Sequence, residues 1–225
     1  MTIRKACWLT LCFCLPCILL SAQQQWVSLF NGNTLEGWRT YQNKPATSWT
    51  AGNGLLANKG NKDQQTKHAD LITEKEYANF ILSLDWKIAP AANSGILYLV
   101  TEEYSASYLS GPEYQLIDDT GYPGKLENWQ KTGANYAMDP PLTDATKPAG
   151  EWNHTEIIVN KGHVEHWLNG KKVAEYTFGS DDWKQHKAAG KWKDAEGYGR
   201  ARKGHIAFQD HGGEAWFRNI RIKEL

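Results

Sequence analysis

Glu113-Tyr114-Gln115-Leu116-Ile117-Asp118 brings together residue types that move protons and bind polar ligands. Its composition suits a strand, where side chains alternate between faces, so Glu113 and Gln115 point the same way. A glutamate beside a glutamine would be costly in a dry core, because buried polar groups need partners and buried charge is expensive. Both are therefore expected on a wet face, with Glu113 available as a general acid or base. Asp118 has the opposite parity unless the strand has ended or bulged. It is either a further catalytic carboxylate or the start of a polar turn, Asp118-Asp119-Thr120-Gly121.

A second constellation runs from His205 to His211. If Ile206 and Phe208 enter a core, Gln209 and His211 project together on the other side, beside Gly212-Gly213. Imidazole changes charge nearest neutral pH, which makes His211 the second candidate for proton transfer. A turn histidine bonded to local backbone is the plain alternative. Tyr98 shares parity with Ser94 and Ile96 and is expected to offer a ring or a hydroxyl to a ligand. Ser94, Gln115 and Gln209 would add hydrogen bonds.

The elements that position these residues read as strands. Asn79 to Ile88 alternates, with Phe80, Leu82, Leu84 and Trp86 on one face and Ser83, Asp85 and Lys87 on the other. Gly95 to Val100, Glu113 to Asp118 and Thr155 to Asn160 are further strands. His163 to Leu168 and Lys171 to Tyr176 flank Asn169-Gly170, a strong hairpin signal because both turn positions need positive φ. His205 to Asp210 and Ala215 to Lys223 are expected as a final hairpin across Gly212-Gly213. One short helix is expected to begin near Ser180 or Asp181. Thr120 to Gly150, rich in Gly, Pro and Lys, reads as a long surface connection, and such loops are usually functional or mobile. The pattern predicts an all-β fold, a two-sheet antiparallel β-sandwich, in one domain.

The N-terminus has its own signature. Arg4 and Lys5 precede an apolar run from Ala6 to Leu20, followed by the small residues Ser21-Ala22. This pattern predicts a secretory signal peptide over 1–22, cleavage after Ala22, and export of a 23–225 domain to the periplasm or exterior. The run is short for a permanent span, which needs about 20 apolar residues. Lipidation at Cys17 is disfavoured because Leu15-Pro16 precede it where small residues are wanted. All four cysteines (Cys7, Cys12, Cys14 and Cys17) fall in the leader, so no disulfide or cysteine nucleophile is expected in the mature chain.

Basic and acidic residues balance at 25 each, and loss of Arg4 and Lys5 leaves a slight acidic excess. This is no footprint for nucleic acid or an anionic membrane, and neither partner is expected. No histidine pair has the convergent spacing of a zinc site, so no metal or cofactor is predicted. A divalent ion held by scattered oxygen ligands would leave no such spacing. Nothing in the sequence speaks to oligomeric state. Eleven Trp and ten Tyr are many for this length, and aromatic rings suit both inter-sheet packing and stacking on sugars.

Ordered motifs carry a resemblance over nearly the whole mature chain. They begin with Leu29-Phe30-Asn31-Gly32-Asn33-Thr34-Leu35-Glu36-Gly37-Trp38, then Asn93-Ser94-Gly95-Ile96 with Tyr98, then Glu113 to Asp118. Gly150-Glu151-Trp152-Asn153, Trp167-Leu168-Asn169-Gly170, Gly204 to Gly212 and Phe217-Arg218-Asn219-Ile220 follow. Together they resemble the 3-keto-disaccharide hydrolase family. That resemblance implies a concanavalin A-like jelly roll, a small carbohydrate substrate and cleavage of glycosides whose sugar is a ketone at C3. It further implies a base for the C2 proton, a donor to O3 and an acid for the leaving oxygen, with Glu113 and His211 as acid and base in either order. Gln115, Gln209, Tyr98 and Ser94 would hold the sugar. Ordinary glycosidases need two carboxylates about the scissile bond. Gln115 stands where jelly-roll glucanases would carry one, which weakens the plain glucanase reading. A non-catalytic carbohydrate-binding module is the alternative.

Overall fold

The computed structural model describes residues 25–61 and 65–225. The predicted leader and its cleavage point lie outside these residues. The first half of the chain forms Val27–Ser28 (β1), Trp38–Thr40 (β2), Trp49–Gly52 (β3), Leu55–Lys59 (β4), Leu71–Thr73 (β5), Phe80–Ile88 (β6), Asn93–Val100 (β7) and Glu113–Ile117 (β8). The second half adds Asn153–Asn160 (β9), His163–Leu168 (β10), Lys171–Thr177 (β11), His205–Phe208 (β12) and Glu214–Glu224 (β13), with one helix at Asp181–Ala189 (α1).

Two antiparallel sheets result, the sandwich expected from the alternation. One runs β11-β10-β9-β6-β13-β4-β3, with β1 also paired to β13; the other runs β2-β5-β12-β7-β8. Phe80, Leu82, Leu84, Trp86 and Ile88 of β6 enter the core with Ile96, Tyr98, Tyr114, Ile206 and Phe208 from the opposite sheet. Phe208 stacks on Phe217 across the sandwich at 4.1 Å between centroids. Between the sheets, buried polar groups are paired in a short chain of hydrogen bonds. Trp86 Nε1 donates to Thr155 Oγ1 (2.8 Å), and Thr155 in turn donates to the Tyr114 oxygen (3.0 Å).

The helix begins where its cap predicts. The Ser180 hydroxyl accepts from Trp183 N–H, with Asp181 and Asp182 in the positive first turn. The Asn169-Gly170 hairpin also forms, between β10 and β11.

The expected hairpin across Gly212-Gly213 does not. β12 pairs with β5 and β7 in one sheet, while β13 pairs with β6 and β4 in the other, so residues 209–213 cross between sheets. The crossing is a built corner. Asp210 accepts from Ser48 Oγ (2.6 Å), His68 Nδ1 (2.8 Å) and Gly212 N–H (3.2 Å), and Gly213 lies so near Ala92 that a Cβ would fall 2.8 Å from it. Glycines announce a turn but not which strand the chain meets next.

Candidate active site

Strands β7 and β8 are neighbours, with Gly95 opposite Gln115 and Leu97 opposite Glu113. Their outward residues lie on the face of the five-stranded sheet away from the core. There Asn93, Glu113, Gln115, Gln209 and His211 line a cleft of ≈200 Å³ with Tyr108, Tyr136, Lys191 and Trp192. A bulge on β7, with Leu99 at φ 55°, turns both Leu97 and Val100 outward to pack with Tyr41, Ile72 and Ala207 in a small apolar cluster on this face.

Glu113 is buried; its backbone carbonyl accepts from the Tyr136 N–H (3.0 Å), but its carboxyl has no hydrogen-bond partner among the described residues. It sits over Gly95, where any side chain would collide with its carboxyl. Burial pushes its carboxyl up to about 8; the Lys191 cation opposes that rise and the Asp70 carboxylate adds to it. Lys191 is an exposed residue, yet partial desolvation at the cleft holds its ammonium below the usual lysine range, while Glu113 pulls it back up. Its ammonium lies 4.7 Å from the Tyr136 and Trp192 ring centroids and 5.9 Å from that of Tyr108.

The segment that carries Lys191 is anchored by stacked rings. Trp192 stacks on Tyr198 at 4.4 Å, Tyr198 on Trp183 at 5.7 Å, and Trp183 on Tyr176 at 5.2 Å. Trp192 Nε1 also donates to the Tyr136 carbonyl (3.0 Å). The column runs from α1 and the eight-stranded sheet to the cleft wall.

Two acceptors face the cleft with nothing to accept from. Oε1 of Gln115 and Oδ1 of Asn93 are buried and unpaired, although Gln115 Nε2 donates to the Gln130 carbonyl (3.2 Å). Buried unpaired acceptors cost free energy unless a ligand supplies donors, and sugar hydroxyls are donors. Gln209 is held at the cleft by its N–H to the Gly95 carbonyl (2.9 Å). His211 is exposed beside it, near Asp70, whose carboxyl accepts from Ser107 Oγ and the Asp210 N–H.

Three expected site residues lie elsewhere. Tyr98 points into the core, where its hydroxyl bonds His166 Nε2 (2.8 Å) and the Tyr176 hydroxyl. Burial there pushes His166 down to about 4, so the ring is neutral, and its Nδ1 donates to the Gly133 carbonyl (3.0 Å). The parity shared with Ile96, a core residue, is the reason. Ser94 has the same parity; its hydroxyl donates to the Gln209 carbonyl (2.9 Å) and supports the cleft from behind. Asp118 is a turn residue. Its carboxylate accepts from the N–H groups of Ala91 (2.9 Å), Gly121 (2.9 Å) and Thr120 (3.2 Å). Burial would raise its carboxyl, but these donors outweigh it and hold the group below the usual carboxylate range.

Asn93, Tyr108, Tyr136, Lys191 and Trp192 complete the cleft and were not singled out as site residues from sequence. Asn93 could have been found, since it shares parity with Gly95 on the face opposite Ile96. The others come from connections with no periodicity to read. Among the described residues, the group close enough to share a cation is His163, Glu165 and Glu175, outside this cleft on the eight-stranded sheet. Lys172 already bonds both glutamates there, at 3.2 and 2.9 Å.

The model of the 3-keto-alpha-glucoside-1,2-lyase-like domain matches residues 25–223. A 3-keto-disaccharide hydrolase of Bacteroides thetaiotaomicron is 34% identical over 227 aligned positions, covering 89% of this chain and 78% of the relative. A crystal structure from Parabacteroides distasonis, described as a candidate glycosyl hydrolase, is 42% identical with a TM-score of 0.82, covering 89% of this chain and 94% of that one. A second such structure from the same organism is 31% identical with a TM-score of 0.69, covering 89% and 100%. These likenesses support a glycoside hydrolase with a carbohydrate substrate.

Proposed function

This chain belongs to the 3-keto-alpha-glucoside-1,2-lyase-like domain family, and from that premise we propose that it cleaves glycosides oxidised to a ketone at C3 of the glucosyl unit. The observation that carries the reading is Glu113, a buried and unpaired carboxyl at the floor of a small cleft shared with Lys191 and His211.

The ketone makes the C2 proton acidic, so one base can start the reaction. His211 takes that proton, and the C–H electron pair moves into a C2–C3 enolate whose charge rests on O3. Lys191 faces O3 and stabilises it, as a preorganised cation in a partly dry site can. The C1–O bond then breaks, and Glu113, largely protonated at neutral pH with a value of about 8, gives its proton to the leaving oxygen. The sugar is left with a C1=C2 double bond conjugated to the ketone. Water adds next: Glu113 carboxylate takes its proton, hydroxide joins C1, and His211 returns the proton to C2. The net change is hydrolysis, and both side chains regain their starting protons. Gln115, Asn93 and Gln209 receive and orient the sugar hydroxyls.

The test is aglycone release from a 3-keto-glucoside and from its unoxidised parent, with Glu113→Gln and His211→Ala in parallel. Release from the ketone alone, lost in both variants, is the expected result. Sugar binding without release from either compound would overturn the enzyme reading and leave a binding module.

A further inference from the structure

The outer face of the eight-stranded sheet holds a second cavity, of ≈490 Å³, on the sheet opposite Glu113. That volume lies in the range of small-molecule sites, about 300–1,000 Å³. Its floor is built from Ser83 and Asp85 on β6 and His154 on β9, directly across from Asp85. Its wall is a bulge in β13. Arg218 pairs with Asp85 and Arg221 with Ser83, so three steps on β13 span two on β6. The extra residue lets Arg218 and Arg221 face the same side, which their odd separation would otherwise forbid. Asn219 takes up the bulge at φ 53°, in the left-handed region that asparagine tolerates.

Asp85 organises the polar groups. It accepts from His154 Nδ1 (2.8 Å), Asn219 Nδ2 (2.7 Å) and Arg218 Nε (3.3 Å). With Nδ1 of His154 engaged by the carboxylate, its Nε2 is left to meet a ligand hydroxyl. Ser83 is 1% exposed, and its Oγ has no partner. The Arg221 guanidinium lies 4.7 Å over the Trp26 ring and has no ion-pair partner among the described residues. Trp26 itself is 39% exposed, a large ring left at the rim.

We propose that this cavity is a second, non-catalytic saccharide-binding site that takes one sugar unit of a neutral oligosaccharide. The sugar ring lies against the Trp26 indole, and its hydroxyls engage Ser83 Oγ, His154 Nε2 and the Arg221 guanidinium. Hydroxyls both donate and accept, which matches this mixed set of donors and acceptors. A buried serine without a partner calls for an explanation, and a bound hydroxyl supplies it.

The test is titration of the 23–225 protein with maltotetraose and with cellotetraose, followed by the indole N–H signals in NMR. Saturable shifts of the Trp26 signal are expected with at least one of them. Trp26→Ala, Arg221→Ala and Ser83→Ala should each weaken that binding by about fivefold or more, the loss of roughly one contact. Cleavage of a small 3-keto-glucoside should be unchanged in all three, and Glu113→Gln should bind the oligosaccharide as the parent does. Ser83→Ala removes an oxygen with no partner, so its melting temperature should not fall. No shift with either oligosaccharide, or undiminished binding in a Trp26→Ala, Ser83→Ala double variant, would overturn the proposal. So would a Ser83→Ala protein that melts earlier yet binds normally.

Discussion

A Cβ placed on Gly95 would lie 2.3 Å from Oε1 of Glu113, so the side chain missing from one residue is the seat of the other's carboxyl. All three of the nearest atoms belong to the Glu113 side chain. A flexible side chain can yield where backbone cannot. Gly95→Ala should therefore keep the fold and move the carboxyl. We expect kcat/KM on a 3-keto-glucoside to fall roughly 100-fold, as a displacement of about 1 Å can cause. The melting temperature should change little. Unchanged turnover would mean that the position of Glu113 is not critical.

The Glu113 carboxyl also links stability to pH. Its folded value of about 8 lies above the ordinary glutamate value of 4.5. Below pH 4.5 the folded and unfolded states both hold the proton, and burial carries no ionisation penalty. Between 4.5 and 8 the unfolded chain releases it first, so stability falls as pH rises through this window. Glu113→Gln has no such proton to lose. Urea unfolding at several pH values should find the variant gaining on the parent between pH 4.5 and 8 and level above that. A constant difference would refute the linkage.

Lys191→Met should lower kcat/KM on the keto substrate by about 10²–10³, the usual loss when one donor to a developing oxyanion is removed. Removing the cation also removes a charge that holds the Glu113 carboxyl down. The alkaline limit of activity should therefore move to higher pH in this variant. A pH–rate profile identical in shape to the parent's would separate Lys191 from Glu113.

Tyr98 and Asp118 should matter for folding and not for chemistry. Tyr98→Phe leaves His166 and Tyr176 short of a partner, and Asp118→Ala strands three backbone N–H groups. Each should cost about 1–3 kcal/mol in denaturant unfolding. Activity per folded molecule should stay near that of the parent. Because the Asp118 carboxyl is held below its ordinary 3.8, its contribution is present above that pH and is lost in stronger acid. A selective loss of turnover in either variant would return that residue to the site.

Much of this architecture is legible in the residues alone. Alternation places Phe80, Leu82, Leu84 and Trp86 in a core, and Ser180 opens the α-helix Asp181–Ala189. The same period sets Glu113 beside Gln115, because side-chain direction in a strand depends only on sequence parity. Gln209 and His211, by contrast, lie beyond the end of β12 and reach the cleft from the crossing between sheets. Tyr98 shares its face with the core residue Ile96, a parity that points inward and not to the ligand contact expected of it.

Tertiary structure decided the rest. Strand parity cannot say which strands become neighbours, so only folding brings Gly95 under Glu113 and sends residues 209–213 across to the other sheet. Lys191 reaches the cleft from an aperiodic connection because Trp183, Tyr198 and Trp192 stack into a column, a contact between residues far apart in pattern. The rise in Glu113 to about 8 is likewise a property of the assembled site. It depends on how much water the surrounding residues exclude and on where one cation comes to rest, and neither is a local property of the chain.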